Sequence, residues 1–286
     1  RMLRAIRFSA QLKYDLDIET FQAVKELSKN IVNISKERVR EEINKILLTE
    51  KPSDGIRLLH DTGLLSYIIP EIEKGVGFDQ RNTYHDKDIF NHIMSVLDNT
   101  REDLVVRLAA LMHDIAKPLC FSIDEKGTGH FCSHHMKGMD ITEDILRRLK
   151  YDNKTTETVK ILVKEHMSRY DKVTPRVIKR LINRVGVDNI ERLFELQTAD
   201  ILGSREPHDF RGIEKARELC SKIINENQPL SVKDLDINGY DLIQIGVPKG
   251  KEMGIILNEL LDRVLEAPEL NRKELLINEA KLIAKR

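Results

Sequence analysis

The stretch RLAALMHDIAKP, residues 107–118, is an apolar helical run that ends in an adjacent histidine and aspartate, followed by a lysine and a proline. Leu108, Leu111 and Met112 fall on one apolar stripe, so the spacing carries His113 and Asp114 to the buried end of the helix. An ionised carboxylate in such a place is costly unless it is paired or coordinates a metal. An imidazole nitrogen beside a carboxylate oxygen makes a mixed donor set that suits transition metals or Mg²⁺. Taken alone, the pair is equally a cap or a salt bridge, so its neighbours along the chain decide the matter.

Those neighbours repeat the pattern. YHDKDIFNHIMSVLD places His85 and His92 seven residues apart on one helical face. GHFCSHHMKGMDITEDILRRL offers His130, His134 and His135 before another amphipathic helix, VKILVKEHMSRY ends a helix in His166, and LFELQTADILG presents Asp200 late in a helix. Four or five helices thus each deliver a His or Asp near one end, which is how a metal site is built inside a helical bundle. Seven of the nine histidines fall between residues 84 and 205, so function is expected there. His85, His130 and His135 each neighbour a better candidate. His60 and His208 read as surface or packing residues, His208 at most bordering the pocket.

The rest of the 286-residue chain sets bounds. Its length suits about two domains. Helical periodicity runs through almost every segment and strand-type alternation is scarce, so the fold class is all-α. Formal net charge is zero, so any contact with nucleic acid must come from a local patch. With no Trp and 5% aromatic residues, a base-stacking surface is disfavoured. Cys120, Cys132 and Cys220 are far apart and lack a CxxC pattern, so reduced, packed thiols are expected. No apolar run reaches membrane-span length and no signal peptide is evident, which makes the cytoplasm the expected compartment and a membrane partner unexpected.

Residues 1–14 read as a basic amphipathic helix, with Met2, Leu3, Ile6 and Leu12 inward and Arg1, Arg4, Arg7 and Lys13 outward. Asp17 is a cap, a helix begins at Asn33 or Ser35 and stops before Pro52, and two short helices follow around Gly63 and Pro70. The Gly-rich polar stretch after Glu71 is a boundary. The expected domains are therefore 1–70, a linker 71–84, 85–205, and a helical body and tail 206–286, with Asn271 capping the last helix.

The order H, HD, H, H, D resembles the HD superfamily of metal-dependent phosphohydrolases. HDIAKP is similar to the branch whose motif reads HDxGK, with Ala116 in place of the usual Gly. The resemblance implies His92, His113, Asp114 and Asp200 as core metal ligands, with His134 and His166 completing a second metal position or binding phosphate. It also implies metal-assisted phosphoester hydrolysis, in which His113, Asp114 and Lys117 do the chemistry with a divalent ion such as Mg, Mn, Ni or Co. Lys117 is expected either to neutralise a phosphoryl oxygen or to be a solvated helix end.

The flanks carry a second resemblance. RMLRAIRFSAQLKYDLD, followed by ISKERVREEINKILLTEKPSDGIRLLHDTGLLSYIIPEI, closely resembles the neck of tRNA nucleotidyltransferases, the CCA-adding enzymes and their poly(A) polymerase relatives. In that family an EDxxR motif reads the incoming CTP or ATP. Arg1 matches its arginine, and Arg4 and Arg7 match the RAxRF continuation, so Arg1 and Arg4 are nucleotide-binding candidates and Arg7 an RNA-binding one. The tail resembles the family's body, where helices after a G-x-P-x-G turn hold tRNA; Lys249 and Lys251 flank Gly250 there and would suit a phosphate. The resemblance implies that nucleotide addition belongs to a catalytic head preceding these residues, so CTP and ATP are partners only in its company, whereas tRNA is a partner of this portion itself. Two alternatives stand beside this reading: an inactive HD scaffold that only binds tRNA, and a free-standing nucleotide phosphohydrolase. Oligomeric state is open.

Overall fold

The computed structural model describes residues 1–81, 87–168, 173–226 and 228–284. The chain forms two compact units, Arg1–Arg169 with Glu191–Phe210, and Tyr170–Ile190 with Arg211–Arg286. His85 and the expected boundary at residue 84/85 lie outside the described residues.

The first unit opens with α1 (Met2–Leu12), α2 (Ile18–Leu27) and α3 (Lys36–Leu47), then α4 (Pro52–Asp61) and the single turns α5 (Leu65–Ile68) and α6 (Pro70–Glu73). Asp17 caps α2 by accepting the Thr20 N–H at 2.9 Å, and Pro52 starts α4 at a position where its missing N–H costs nothing. In α1, Leu3 and Ile6 are buried, but Leu12 is exposed rather than inward. At 100° per residue Leu12 falls on the face opposite Leu3, whereas Arg7 lies close to the buried stripe. Arg7 is accordingly mostly buried, its Nε 3.2 Å from Glu42 Oε2, rather than facing outward.

Next come α7 (Ile89–Asp98), α8 (Leu104–Met112), α9 (His134–Arg148), α10 (Asn153–Glu165) and, closing the unit, α12 (Ile190–Gly203). Helix α8 is the central element: every residue from Val106 to Met112 is buried. A helix apolar all round belongs in the middle of a core, where each fully buried Leu contributes roughly 1.5–3 kcal/mol. It packs on α7 and α10, and α10 packs on α9. Its one cation, Arg107, is buried. The Arg107 guanidinium donates to the carbonyls of Leu47, the last residue of α3, and of Thr49 just after it, and to Thr100 O, tying the first helices to the central one. Between α8 and α9 a small antiparallel hairpin, β1 (Phe121–Ile123) and β2 (Gly129–Phe131), pairs Ser122 with His130. Three-residue strands are too short to leave an alternation in the sequence, and the fold is otherwise helical, as the periodicity predicts.

The second unit contains α11 (Pro175–Val185), α13 (Arg211–Asn225), α14 (Gly239–Gln244), α15 (Lys251–Glu266) and α16 (Lys273–Ile283). Helix α11 packs on α13 and α15, and α15 on α16. Lys179 is buried and donates to Leu265 O near the C-terminal end of α15 at 3.1 Å. Asp241 and Asn238 form a reciprocal cap at the start of α14. Asn271 does not cap α16, whose N-cap is Arg272. Its side chain instead accepts the Asp236 N–H and donates to Asp234 O, because a preceding loop offers both groups to one amide.

Cys120 is half-buried, Cys132 exposed and Cys220 buried, all three free. Among the described residues no helix is long and apolar enough to cross a membrane.

Candidate metal centre

Five helices of the first unit deliver the candidate ligands. His92 sits within α7, His113 caps the end of α8 with Asp114 after it, His134 opens α9, His166 caps the end of α10 and Asp200 lies late in α12. The six side chains converge as two trios, His92–His113–Asp200 and Asp114–His134–His166. Asp114 joins them. Its Oδ2 is 3.4 Å from His92 Nε2 and 3.3 Å from His113 Nε2, while its Oδ1 is 3.3 Å from His134 Nε2 and 3.8 Å from His166 Nε2. Asp200 Oδ1 lies 3.0 Å from His92 Nε2 and 3.7 Å from His113 Nε2. Five of the six are buried to a few per cent, but the Asp200 side chain is 25% exposed and marks the mouth.

The orientation of the imidazoles decides what the cluster can bind. In each ring Nδ1 points at a backbone carbonyl: Gly203 O for His92 (3.3 Å), Ala110 O for His113 (2.8 Å), Phe131 O for His134 (2.8 Å) and Val163 O for His166 (2.6 Å). A carbonyl only accepts, so Nδ1 carries the proton and a neutral ring turns its Nε2 lone pair inward. His92 and His113 then face one another Nε2 to Nε2 at 3.3 Å, and His134 and His166 do so at 3.4 Å. With the rings neutral, opposed lone pairs at that separation repel, and either a shared proton or a cation within each trio relieves them. The buried N/O donor set therefore fits a divalent metal.

Burial and charge oppose one another in the cluster. Burial alone would raise the Asp114 carboxyl, but Lys117 and His113 outweigh it and hold the group well below the usual carboxylate range. For His113 burial pushes the imidazole down, and Asp114 with Asp200 outweighs it, leaving it above the ordinary histidine value. Burial, with the charge of His113 added, pushes His166 down to about 3.

Lys117 is buried, not a solvated helix end. Its Nζ is 2.7 Å from Asp114 Oδ2, donates to Gln80 Oε1 at 2.9 Å, and lies 5.2 Å from the Phe131 ring centroid. Ala116 adopts φ −91°, a conformation open to any residue, so the departure from Gly adds no strain. Two contributors were invisible in the sequence pattern. Gln80, 2% exposed, comes from the polar stretch that reads as a linker. Gln197 donates to the carbonyls of His166 and Ser168, closing the end of α10; its place one helical turn before Asp200 is the signal that could have found it.

The other candidates lie away from the cluster. His130 pairs with Asp124 at 2.9 Å on the hairpin, His60 with Glu73 at 2.8 Å, and His208 Nε2 is 3.1 Å from Ser204 O. Arg1 and Arg4 are exposed on α1, and Arg4 and Arg7 both stand over Phe8, at 5.8 and 4.3 Å from its centroid. Lys249 and Lys251 are exposed at the start of α15 in the second unit.

Comparison with known proteins agrees with this architecture. Residues 13–75 match a model described as the probable RNA- and SrmB-binding site of polymerase A, and residues 130–280 match one described as tRNA nucleotidyltransferase domain 2, putative. The A-adding tRNA nucleotidyltransferase of Deinococcus radiodurans is 29% identical over 277 residues, covering 92% of this chain and 63% of that protein. The CC-adding tRNA nucleotidyltransferase of Thermus thermophilus is 29% identical over 280 residues, covering 93% and 62%. The chain thus spans less than two thirds of the length of these relatives. The crystal structure of the Bacillus stearothermophilus CCA-adding enzyme in complex with CTP superposes with a TM-score of 0.62 at 19% identity, covering 99% of this chain and 61% of that one, a likeness of fold. With the domain 2 model spanning more than half of its residues, the chain belongs to the tRNA nucleotidyltransferase family.

Proposed function

We propose that the chain is the RNA-holding and phosphoester-hydrolysing portion of a protein that builds or repairs the tRNA 3′ end. The observation that carries the hydrolase reading is the set of four buried imidazoles whose Nδ1–H groups are tied to carbonyls, leaving Nε2 to converge with Asp114 and Asp200. Its candidate substrates are 2′,3′-cyclic phosphates and 2′-phosphates at damaged RNA ends. The relatives named for A and CC addition support the tRNA context, in which Arg1 and Arg4 would meet CTP or ATP beside a catalytic head, and Lys249 and Lys251 would meet RNA phosphates.

His92, His113 and Asp200 would hold one ion, and Asp114, His134 and His166 a second. A divalent cation such as Mg²⁺, Mn²⁺, Ni²⁺ or Co²⁺ supplies Lewis acidity and acidifies bound water there. The protein's own groups do the rest. Asp114, kept ionised by Lys117, orients an attacking water and accepts its proton. Lys117, held by Gln80 and stripped of solvent, offers a fixed positive charge to a non-bridging phosphoryl oxygen. The packed wall of α8 keeps bulk water from the back of the site, so the ester enters past Asp200.

The test is hydrolysis of bis(p-nitrophenyl) phosphate and of a 2′,3′-cyclic nucleotide with each metal added in turn. His113→Ala is expected to lower kcat by about a thousandfold or more; activity surviving unchanged would sink the reading. Bound metal without turnover in the wild-type chain would favour an RNA-binding scaffold.

A further inference from the structure

A groove of about 570 Å³ runs between α4 and α7, away from the ligand trios. Lys51, Ser53 and Arg57 form one wall, and Lys87, Asn91 and Ser95 the other. Two carboxylates also line it, and both are engaged. Asp98 accepts the Ser53 N–H at 3.0 Å and its hydroxyl at 2.6 Å, capping the start of α4. Asp88 accepts the Asn91 N–H at 2.6 Å and the Gly77 N–H at 2.8 Å, capping α7.

The cations are placed differently. Arg57 Nη1 donates to Asn91 Oδ1 at 2.6 Å and its Cζ stands 5.7 Å from the Phe90 ring centroid. These two contacts aim the guanidinium, and its other N–H groups meet no acceptor among the described residues. Lys51 lines the same wall as Arg57, and its Nζ is 2.9 Å from Asp54 Oδ1, an exposed pair that an incoming anion can replace. A rigid guanidinium fork beside a flexible ammonium matches a phosphodiester, the first by paired hydrogen bonds and the second by charge.

One shared carbonyl links the groove to the cluster. Lys87 Nζ is 3.3 Å from Gly203 O, the same carbonyl that lies 3.3 Å from His92 Nδ1. On α7, Asp88 and Ser95 are within about 60° of His92 around the helix axis. The α4 wall falls inside the stretch that matches an RNA-binding model, while Lys87 and α7 fall outside it. Its volume lies within the roughly 300–1,000 Å³ of small-ligand sites, room for a nucleotide or two of a single strand and not for a duplex.

We infer that the α4–α7 groove seats the backbone of a single RNA strand whose end enters the histidine–aspartate cluster, with Arg57, Lys51 and Lys87 as its phosphate contacts. The direction of the strand rests on the hydrolase reading above; the binding does not.

The experiment follows a fluorescein-labelled single-stranded RNA of about 12 nucleotides by anisotropy on the full chain, across a NaCl series. Each phosphate contact on a single strand adds about 0.7 to the slope of log affinity against log salt. Arg57→Ala and Lys51→Ala should each weaken binding about fivefold at moderate salt and lower the slope by about 0.7. Arg57→Lys should restore the slope but not all of the affinity, and Ser95→Glu, which adds a negative charge to the groove, should weaken binding further. Unfolding curves identify any variant that fails to fold, and Ser95→Glu then carries the decision. Unaltered affinity and slope in Arg57→Ala and Ser95→Glu would overturn the inference, as would competition by free ATP as effective as by RNA of equal phosphate content. Turnover is read separately: a wild-type chain that hydrolyses nothing but shows these slope changes would remove the hydrolase reading and keep the groove.

Discussion

The two units of the chain treat polar side chains in opposite ways. In the first, His92, Arg107, His113, Asp114, Lys117, His134, His166 and Gln197 are all buried; in the second, among the described residues, the buried polar side chains are Lys179 and Asp241. Each of those two serves a helix terminus, Lys179 at the end of α15 and Asp241 in the cap of α14. The second unit otherwise keeps its charges on the surface, where Arg263 pairs with Glu259 and Glu279 and Arg180 with Asp262 and Glu266. Exposed pairs of that kind contribute little, typically under 1 kcal/mol. A helical core needs no buried histidine cluster to stand up, so the concentration in one unit marks where the chemistry is expected.

The comparison can be broken most directly at one buried cation from each unit. Arg107→Leu strands the carbonyls of Leu47, Thr49 and Thr100 and should cost about 3 kcal/mol in denaturant unfolding. Lys179→Met loses one bond to Leu265 O and keeps its packing, so about 1 kcal/mol is expected. A Lys179 cost equal to that of Arg107 would erase the distinction between a tie joining several segments and a single bond at one helix end.

One substitution made in both units sharpens it. A Cβ at Gly129 would stand 2.1 Å from the backbone oxygen of Gln80, so Gly129→Ala should destabilise by about 2 kcal/mol, as overpacking does. At Gly254, exposed within α15, a Cβ meets nothing, and Gly254→Ala should add about 0.5–1 kcal/mol. Melting curves that moved in the same direction would contradict the close approach described at the hairpin.

The last expected effect concerns acid. Asp103 caps α8 through the Val105 and Val106 N–H groups and meets Arg192 Nε at 2.9 Å. Burial would raise its carboxyl, but Arg192 and the two amides outweigh it and hold it below the ordinary value. Its contribution is therefore present above about pH 4 and is lost as pH falls through the depressed folded value. Asp103→Asn should cost about 1 kcal/mol at pH 7 and progressively less below pH 4. A gap that widened on acidification would reverse the assigned sign.

How much of this was legible follows from what each residue depends on. His92, His113, Asp114, His134, His166 and Asp200 were visible because each stands near the end or on the inner face of a periodic helix, and helix ends are written locally. Asp17 was legible as a cap for the same reason. Leu12 was not inward, because its angle around α1 counts for more than its hydrophobicity. Gln80 and Arg107 act on partners 37 and 60 residues away, and nothing local signals such a distance. The hairpin escaped because three residues leave no periodicity, and Asn271 because its partners belong to a neighbouring loop.

Three of the four imidazole tethers run to the carbonyl three residues earlier in the same chain segment, Ala110 for His113, Phe131 for His134 and Val163 for His166. The rings are thus aimed by their own turns and not by one another. In kinetic language, if the trios take up ions as proposed, capture would demand no preceding rearrangement, and each trio would fill in a second-order step whose rate rises in proportion to ion concentration, without a lag. Which ions occupied them would then be governed more by supply than by any adjustment of the protein.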